Sequence, residues 1–156
     1  METRTVAGMD LSTKVEKVVP VAWLIMEGAM KVGGLRITPS MRAGGAVVRY
    51  LNQSKNAYRG NPVVEGVIGS IQDRKVEKKY KTDLERLDLN EVMRRVDEIE
   101  PILEADREQG TETKSFLLGL ARVMVNASGS GFMGSGERVN EDESKYLADL
   151  KEHLRV

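Results

Sequence analysis

The apolar and polar positions of this chain follow a helical period. After Asn61-Pro62, Val63, Val64, Val67, Ile68 and Ile71 fall at i, i+1, i+4, i+5 and i+8, the spacing of an amphipathic helix with one buried face. Asn61 supplies an N-cap and Pro62 the N1 residue. Earlier, Thr13-Lys14-Val15-Glu16 reads as a capping box, with a hydroxyl at N-cap and a carboxylate at N3. Val15, Val18, Val19, Ala22, Met26, Ala29 and Met30 form a stripe behind it. Pro20 predicts a kink or a delayed start, and Gly33-Gly34 ends the helix. Thr38-Pro39 repeats the cap signal and predicts a helix from Pro39 to about Ser54, with Met41, Val47, Val48 and Leu51 inward and Gly44-Gly45 weakening it.

A charged connector spans about 72–88. Asp88 or Asn90 caps the next stripe, Val92, Val96, Ile99 and Leu103, which Pro101 should kink or divide. Gly110 reads as a break, with Thr111 or Thr113 opening a new helix. Phe116, Leu117, Leu118, Leu120, Ala121, Val123, Met124 and Val125 are apolar nearly all round, which predicts a buried central helix near 115–127. Asn140-Glu141-Asp142-Glu143 opens a last helix with Tyr146, Leu147, Leu150 and Leu154 on its face. The fold expected is all-α, a compact bundle of about five to seven helices, with residues 1–11 a flexible leader and 12–156 a single domain.

The 156 residues suit one domain with its own core. Aromatics are 4% of the chain and methionines number 8, so the core is aliphatic and Met-rich. The chain has no cysteine, which excludes disulfides, thiolate zinc sites, iron–sulfur clusters and cysteine nucleophiles. The single histidine, His153, lies near the end and reads as a surface residue. The apolar run Val18–Met26 is too short to cross a bilayer. The first residues carry Glu2, Arg4 and Asp10 and lack a signal-peptide pattern, so a cytoplasmic location is the default.

Net charge is zero but divided: residues 1–82 hold 14 Lys and Arg against 7 Asp and Glu, and residues 83–156 hold 10 against 17. Such asymmetry favours self-association, a charged partner, or attraction between the halves of one fold. Arg74, Lys75, Lys78, Lys79 and Lys81 cluster beside Tyr80. Helical pairing with Asp73, Glu77, Asp83 and Glu85 accounts for them, and nucleic-acid binding is not expected. Asp97, Glu98, Glu100, Glu104 and Asp106 read as a solvated acidic face, since a di-iron bundle needs Glu-x-x-His motifs.

Ser128-Gly-Ser-Gly-Phe-Met-Gly-Ser-Gly136 carries G-x-G-x-x-G at Gly129, Gly131 and Gly134. A dinucleotide loop must follow a strand and precede a helix inside a βαβ unit. Here a helix precedes it, carboxylates follow it, and 20 residues remain after Gly136. It reads as an elongated helix–helix turn, with no cofactor. Phe132 and Met133 either dock on the core or present a hydrophobic tip to a partner. Gly34-Leu-Arg-Ile-Thr-Pro39 and Gly136-Glu-Arg-Val-Asn-Glu141 make a pseudo-repeat, each with a glycine turn, Arg, a β-branched residue and an N-cap.

Gly136-Glu137-Arg138-Val139-Asn140-Glu141-Asp142-Glu143, after the apolar helix 115–127, resembles the helix–loop–helix of TerB-like domains, named for a tellurite-resistance protein. The resemblance implies an all-helical module of stress-response or membrane-associated systems, sometimes with acids that bind divalent metal. Ser135 and Gly136 stand where the family's turn aspartate falls, which leaves Asp142 and Glu143 as the candidate ligands. The leading expectation is a non-enzymatic helical protein-interaction module: an adaptor, scaffold or assembly subunit, with a stress-response system as one setting. Its partner would be a protein or a second copy, with no transmembrane segment and peripheral membrane contact left open. The alternative is a divalent-metal sensor built on the acids around the start of the last helix.

Overall fold

The computed structural model describes residues 9–33, 45–128 and 141–156. These form seven helices and no strand among the described residues: α1 (Leu11–Gly33), α2 (Ala46–Ala57), α3 (Pro62–Ile71), α4 (Arg74–Tyr80), α5 (Leu89–Glu104), α6 (Arg107–Ser128) and α7 (Glu141–Leu154). The all-α expectation holds. Of the expected leader, Met9, Asp10 and Leu11 are described, and Leu11 already belongs to α1; Gly33 ends α1, and residues 34–44 and 129–140 lie outside the described residues.

Most helix starts are set by one side-chain oxygen meeting an orphan N–H. Asn61 accepts from the Val63 and Val64 amides, both at 3.1 Å. Asp73 accepts from Lys75 N at 2.9 Å and Asp88 from Asn90 N at 2.9 Å. Two starts differ from the sequence expectation. The Asp10 carboxylate takes the Thr13 amide at 2.8 Å, so α1 begins before Thr13. The Asp106 carboxylate takes the Gln109 amide at 3.1 Å, so α6 begins at Arg107 and runs through Gly110. That glycine does not break the helix. A Cβ there would lie 2.6 Å from the Leu103 carbonyl carbon and closer still to its oxygen, so glycine is what lets α6 turn tightly off α5. Gly45 stands at the N-cap of α2 and not inside it; the stretch from Pro39 to Gly44 lies outside the described residues. Pro20 and Pro101 both sit inside continuous helices. Buried Val18, Val19, Val21 and Ala22 flank Pro20, and this burial offsets the missing backbone bond.

The core forms around α1 and α6. Helix α6 is buried at Phe116, Leu117, Leu118, Leu120, Ala121, Met124 and Val125. Helix α1 shares the centre, packing on α3, α5, α6 and α7 and burying Trp23, Ile25 and Met26 to 2% exposure or less.

Two tyrosines tie these central helices to distant helices by the same device. Tyr146 of α7 donates to the Ile25 carbonyl at 2.6 Å, and Gly28, three residues on, makes room for its ring. A Cβ on Gly28 would lie 2.8 Å from Tyr146 Cε1 and Cζ. Tyr50 of α2 donates to the Phe116 carbonyl at 2.8 Å, and a Cβ on Gly119, again three residues on, would lie 2.9 Å from its Cζ. Tyr50 also stacks on Phe116, with ring centres 5.7 Å apart. Burial pushes the Tyr50 hydroxyl up to about 12 and Tyr146 higher, so both remain donors.

The charged connector is a short helix and a loop held against α1. Trp23, Glu27 and Lys31, at i, i+4 and i+8, make the contacts. Trp23 stacks on Tyr80 with centres 6.2 Å apart and donates to Ser70 Oγ at 3.3 Å. Glu27, buried in α1, accepts from the Thr82 amide at 3.1 Å and from the Thr82 hydroxyl. Lys31 donates to the Leu84 carbonyl at 2.8 Å.

Candidate functional site

The acids at the start of α7 point apart. Successive helical residues are turned by about 100°, so Asp142 is exposed while Glu143 is buried in the core. The two carboxylates therefore do not converge. Among the described residues, no group of three or more His, Cys, Asp or Glu is placed to hold a metal ion. Phe132 and Met133 lie outside the described residues.

Asp142 lines a groove of about 350 Å³ where the end of α1 meets the starts of α5 and α7. Val32, Leu89, Met93 and Tyr146 form its apolar part, and Lys31, Asn90, Asp142, Lys145 and Asp149 its polar part. Lys145 and Asp149 pair at 2.9 Å, and the Tyr146 hydroxyl is engaged by Ile25. The groove is thus an apolar slot edged by charges of both signs. His153 lies in a second, polar cavity beside Glu100, Pro101, Glu152 and Arg155. As expected for a surface residue it is partly exposed, and its Nδ1 meets the Asp97 carboxylate at 2.7 Å.

The interior polar groups are engaged in joining helices. Asn61 Nδ2 donates to the Gln109 carbonyl and Glu112 Oε1, both at 3.1 Å, and to Thr113 Oγ1 at 3.3 Å, which fixes the start of α3 to α6. Lys114, with a side chain 5% exposed, bridges Glu100 at 2.9 Å and Glu104 at 2.7 Å, so α6 holds two carboxylates of α5. Burial works against the Lys114 charge, but its bonds to Glu104 and Glu100 outweigh that and hold its pKa above the ordinary value. Burial raises Glu27 above the usual carboxylate range, against the lowering effect of Thr82 and Lys81.

Helix α4 departs from the sequence reading. Val76, Glu77 and Tyr80 are half-buried on its inner side. Arg74, Lys75, Lys78 and Lys79 are exposed and share an outward arc of about 140°. Among the described residues, no salt bridge includes these four or Lys81. Two of the acids next to them serve the backbone. Asp73 caps Lys75 N, and Asp83 caps Glu85 N at 3.0 Å while pairing with Arg86 at 3.7 Å. Arg94 pairs with Glu91 and Glu98, and Arg95 with Glu98.

Sequence reasoning passed over Glu27, Lys31 and Lys114. The i, i+4, i+8 spacing of Trp23, Glu27 and Lys31 on one helix was the available signal for the first two. Among the described residues, no helix is long and apolar enough to cross a membrane. Compared with known proteins, the chain matches no family model, no curated protein and no solved structure.

Proposed function

We propose that this chain is a non-enzymatic helical interaction module, an adaptor or assembly subunit that binds a protein partner or a second copy of itself. One observation carries the reading. The buried side chains of Glu27, Asn61, Lys114 and Tyr146 and the half-buried Tyr50 each hold one element of the fold to another, while a row of exposed cations on α4 is left without ion-pair partners among the described residues. Rigid internal ties and an uncompensated surface charge are what a recognition scaffold needs. The mixed groove beside Asp142 adds a slot sized for one or two partner side chains. The TerB-like resemblance of residues 136–143 extends the proposal to a stress-response setting.

Light scattering of the purified chain, with affinity capture from its own host, tests the reading. A specific partner or a defined oligomer is expected. A monomer that captures nothing refutes it.

A further inference from the structure

From Gln72 to Asp88 no residue is buried, yet this stretch covers part of α1. Tyr80 stacks on Trp23, Thr82 donates its amide and its hydroxyl to Glu27, and the Leu84 carbonyl accepts from Lys31. Trp23 is 2% and Glu27 4% exposed, while Thr82 is exposed and Tyr80 and Leu84 are half-buried. The two registers match. Trp23, Glu27 and Lys31 each step one helical turn, a rise of about 6 Å. Tyr80, Thr82 and Leu84 are alternate residues, a step of about 6.6 Å in extended chain, and Lys81 between the first two is extended, with φ −63° and ψ 131°. A row of α1 side chains thus reads every second residue of a chain laid along it: a ring, then an amide with a hydroxyl, then a carbonyl.

The neighbouring helices have anchors of their own. Helix α3 buries Val63, Val64, Val67 and Ile68 and is tied to α6 through Asn61, and α5 packs on α1, α6 and α7. Helix α4 and its loop keep their shape through local bonds, such as Lys81 N to the Glu77 carbonyl and Arg86 N to the Asp83 carbonyl, both 3.0 Å. Helix α1 holds them by side chains, and Val76 and Leu87 add half-buried apolar contact with the core. Segments with little burial and exposed backbone open locally, at less cost than global unfolding. We infer that residues 73–87 form a strap that lifts from α1 as one unit, and that the row of Trp23, Glu27 and Lys31 beneath it docks an extended partner segment carrying an aromatic residue and, two positions on, a hydroxyl side chain. The inference rests on the interaction-module reading, and the partner chemistry comes from the occupant already seated. Residues 80–84 are a ligand in cis, which a partner segment must displace. Lifting the strap uncovers the Trp23 ring and takes the Thr82 donors from Glu27, and an incoming segment of the same pattern restores both.

Hydrogen exchange on the full chain, read by mass spectrometry, tests the strap. Residues 73–87 are expected to exchange about tenfold faster than α3 and α5, or more, under native conditions. The variant Y80A/T82A removes the ring and the hydroxyl at positions that are not buried. It should speed exchange in 73–87 by about tenfold or more, from the loss of one ring stack and one hydrogen bond, and leave α3 and α5 as in wild type. Acrylamide quenching of Trp23, the one tryptophan of the chain, should rise with it. T82V keeps the ring and should show the same changes at smaller size. Docking is tested with a peptide of the strap's own residues 78–86 and a scrambled peptide with Tyr and Thr adjacent. The strap peptide should shift the Trp23 emission of Y80A/T82A and bind wild type several-fold more weakly, because the row is occupied there. The scrambled peptide should bind neither. Exchange in 73–87 that keeps pace with α3 and α5 overturns the proposal. So does a strap peptide that fails to bind Y80A/T82A at millimolar concentration, that binds both proteins alike, or that binds no better than the scrambled one. Should Y80A/T82A form the host complex or oligomer no better than wild type does, this docking row is wrong while the module reading stands.

Discussion

Gly28→Ala should destabilise this protein, although Ala is the better helix former. Helix propensity alone favours the change by roughly 1 kcal/mol. The added Cβ, however, would lie 2.8 Å from Tyr146 Cε1 and Cζ, and Tyr146 is 2% exposed. Overpacking a buried site costs typically about 1–3 kcal/mol. Pushing the ring away also strains the 2.6 Å bond to the Ile25 carbonyl, worth about 1 kcal/mol. The net expected cost is about 1–3 kcal/mol. The sign should reverse once the ring is gone. Tyr146→Ala costs about 3–5 kcal/mol on its own, by analogy with other large-to-small aromatic deletions. In that background the three atoms nearest the new Cβ are gone, and Gly28→Ala should stabilise by up to about 1 kcal/mol. Urea melts of the four proteins in the cycle give a coupling of about 2–4 kcal/mol, and each kcal/mol moves Tm by roughly 2–4 °C. If Gly28→Ala raises stability in the wild-type background, or adds independently to Tyr146→Ala, the packing argument is refuted.

Other outcomes follow from the same contacts. Gly110→Ala should cost about 3 kcal/mol in chemical denaturation, since the clash at 2.6 Å is with backbone that cannot swing away. Lys114→Met should cost about 3–5 kcal/mol, because it leaves Glu100, 12% exposed, without its cation; Glu104→Gln, on an exposed partner, should cost less. Stability against pH should carry two opposed contributions. Glu27 has a raised pKa, so its contribution falls as pH rises from the usual carboxylate range through that raised value, and Glu27→Gln should abolish this slope. Glu104, lowered first by its bond to Lys114, contributes above the usual range and loses that contribution as pH falls through its lowered value. Calorimetry with calcium, magnesium and manganese should show no site that depends on both Asp142 and Glu143, since one faces solvent and the other the core. Heat lost equally in Asp142→Asn and Glu143→Gln would contradict that placement.

What could be read from sequence was what is local. The start of α3 was legible because its cap, its proline and its apolar period lie within a dozen residues of one another. The start of α6 was not. Gly110 looks like a break when only its own backbone freedom is weighed, and its role depends on the Leu103 carbonyl that the α5–α6 turn brings against it. The apolar run of α6 showed its burial, but the matching centrality of α1 was masked by Pro20 and Glu27, whose costs are offset by contacts from elsewhere. Glu27 meets Thr82, 55 positions away; its spacing with Trp23 and Lys31 marks a shared face of α1 but does not name the partner. At the candidate site, Asp142 and Glu143 stood as candidate ligands through the TerB-like resemblance, but they adjoin in sequence and a helix turns neighbours apart. The cations of α4 looked paired because acids stand close by, but Asp73 and Asp83 hold backbone amides instead.

The two tyrosine ties have a consequence for the order in which the protein is made. Tyr146 meets Ile25 across 121 positions and Tyr50 meets Phe116 across 66. A ribosome releases α1 first and α7 last. The slot at Gly28 therefore stays unfilled, with its surrounding apolar surface incompletely covered, until α7 has emerged. The same holds for Tyr50, which waits for α6. Contacts this distant slow folding and lengthen the time that incomplete chains expose their cores. Chains stalled before Tyr146 should accordingly be sticky, protease-sensitive species, and the emergence of α7 should act as the step that commits this bundle to its native state.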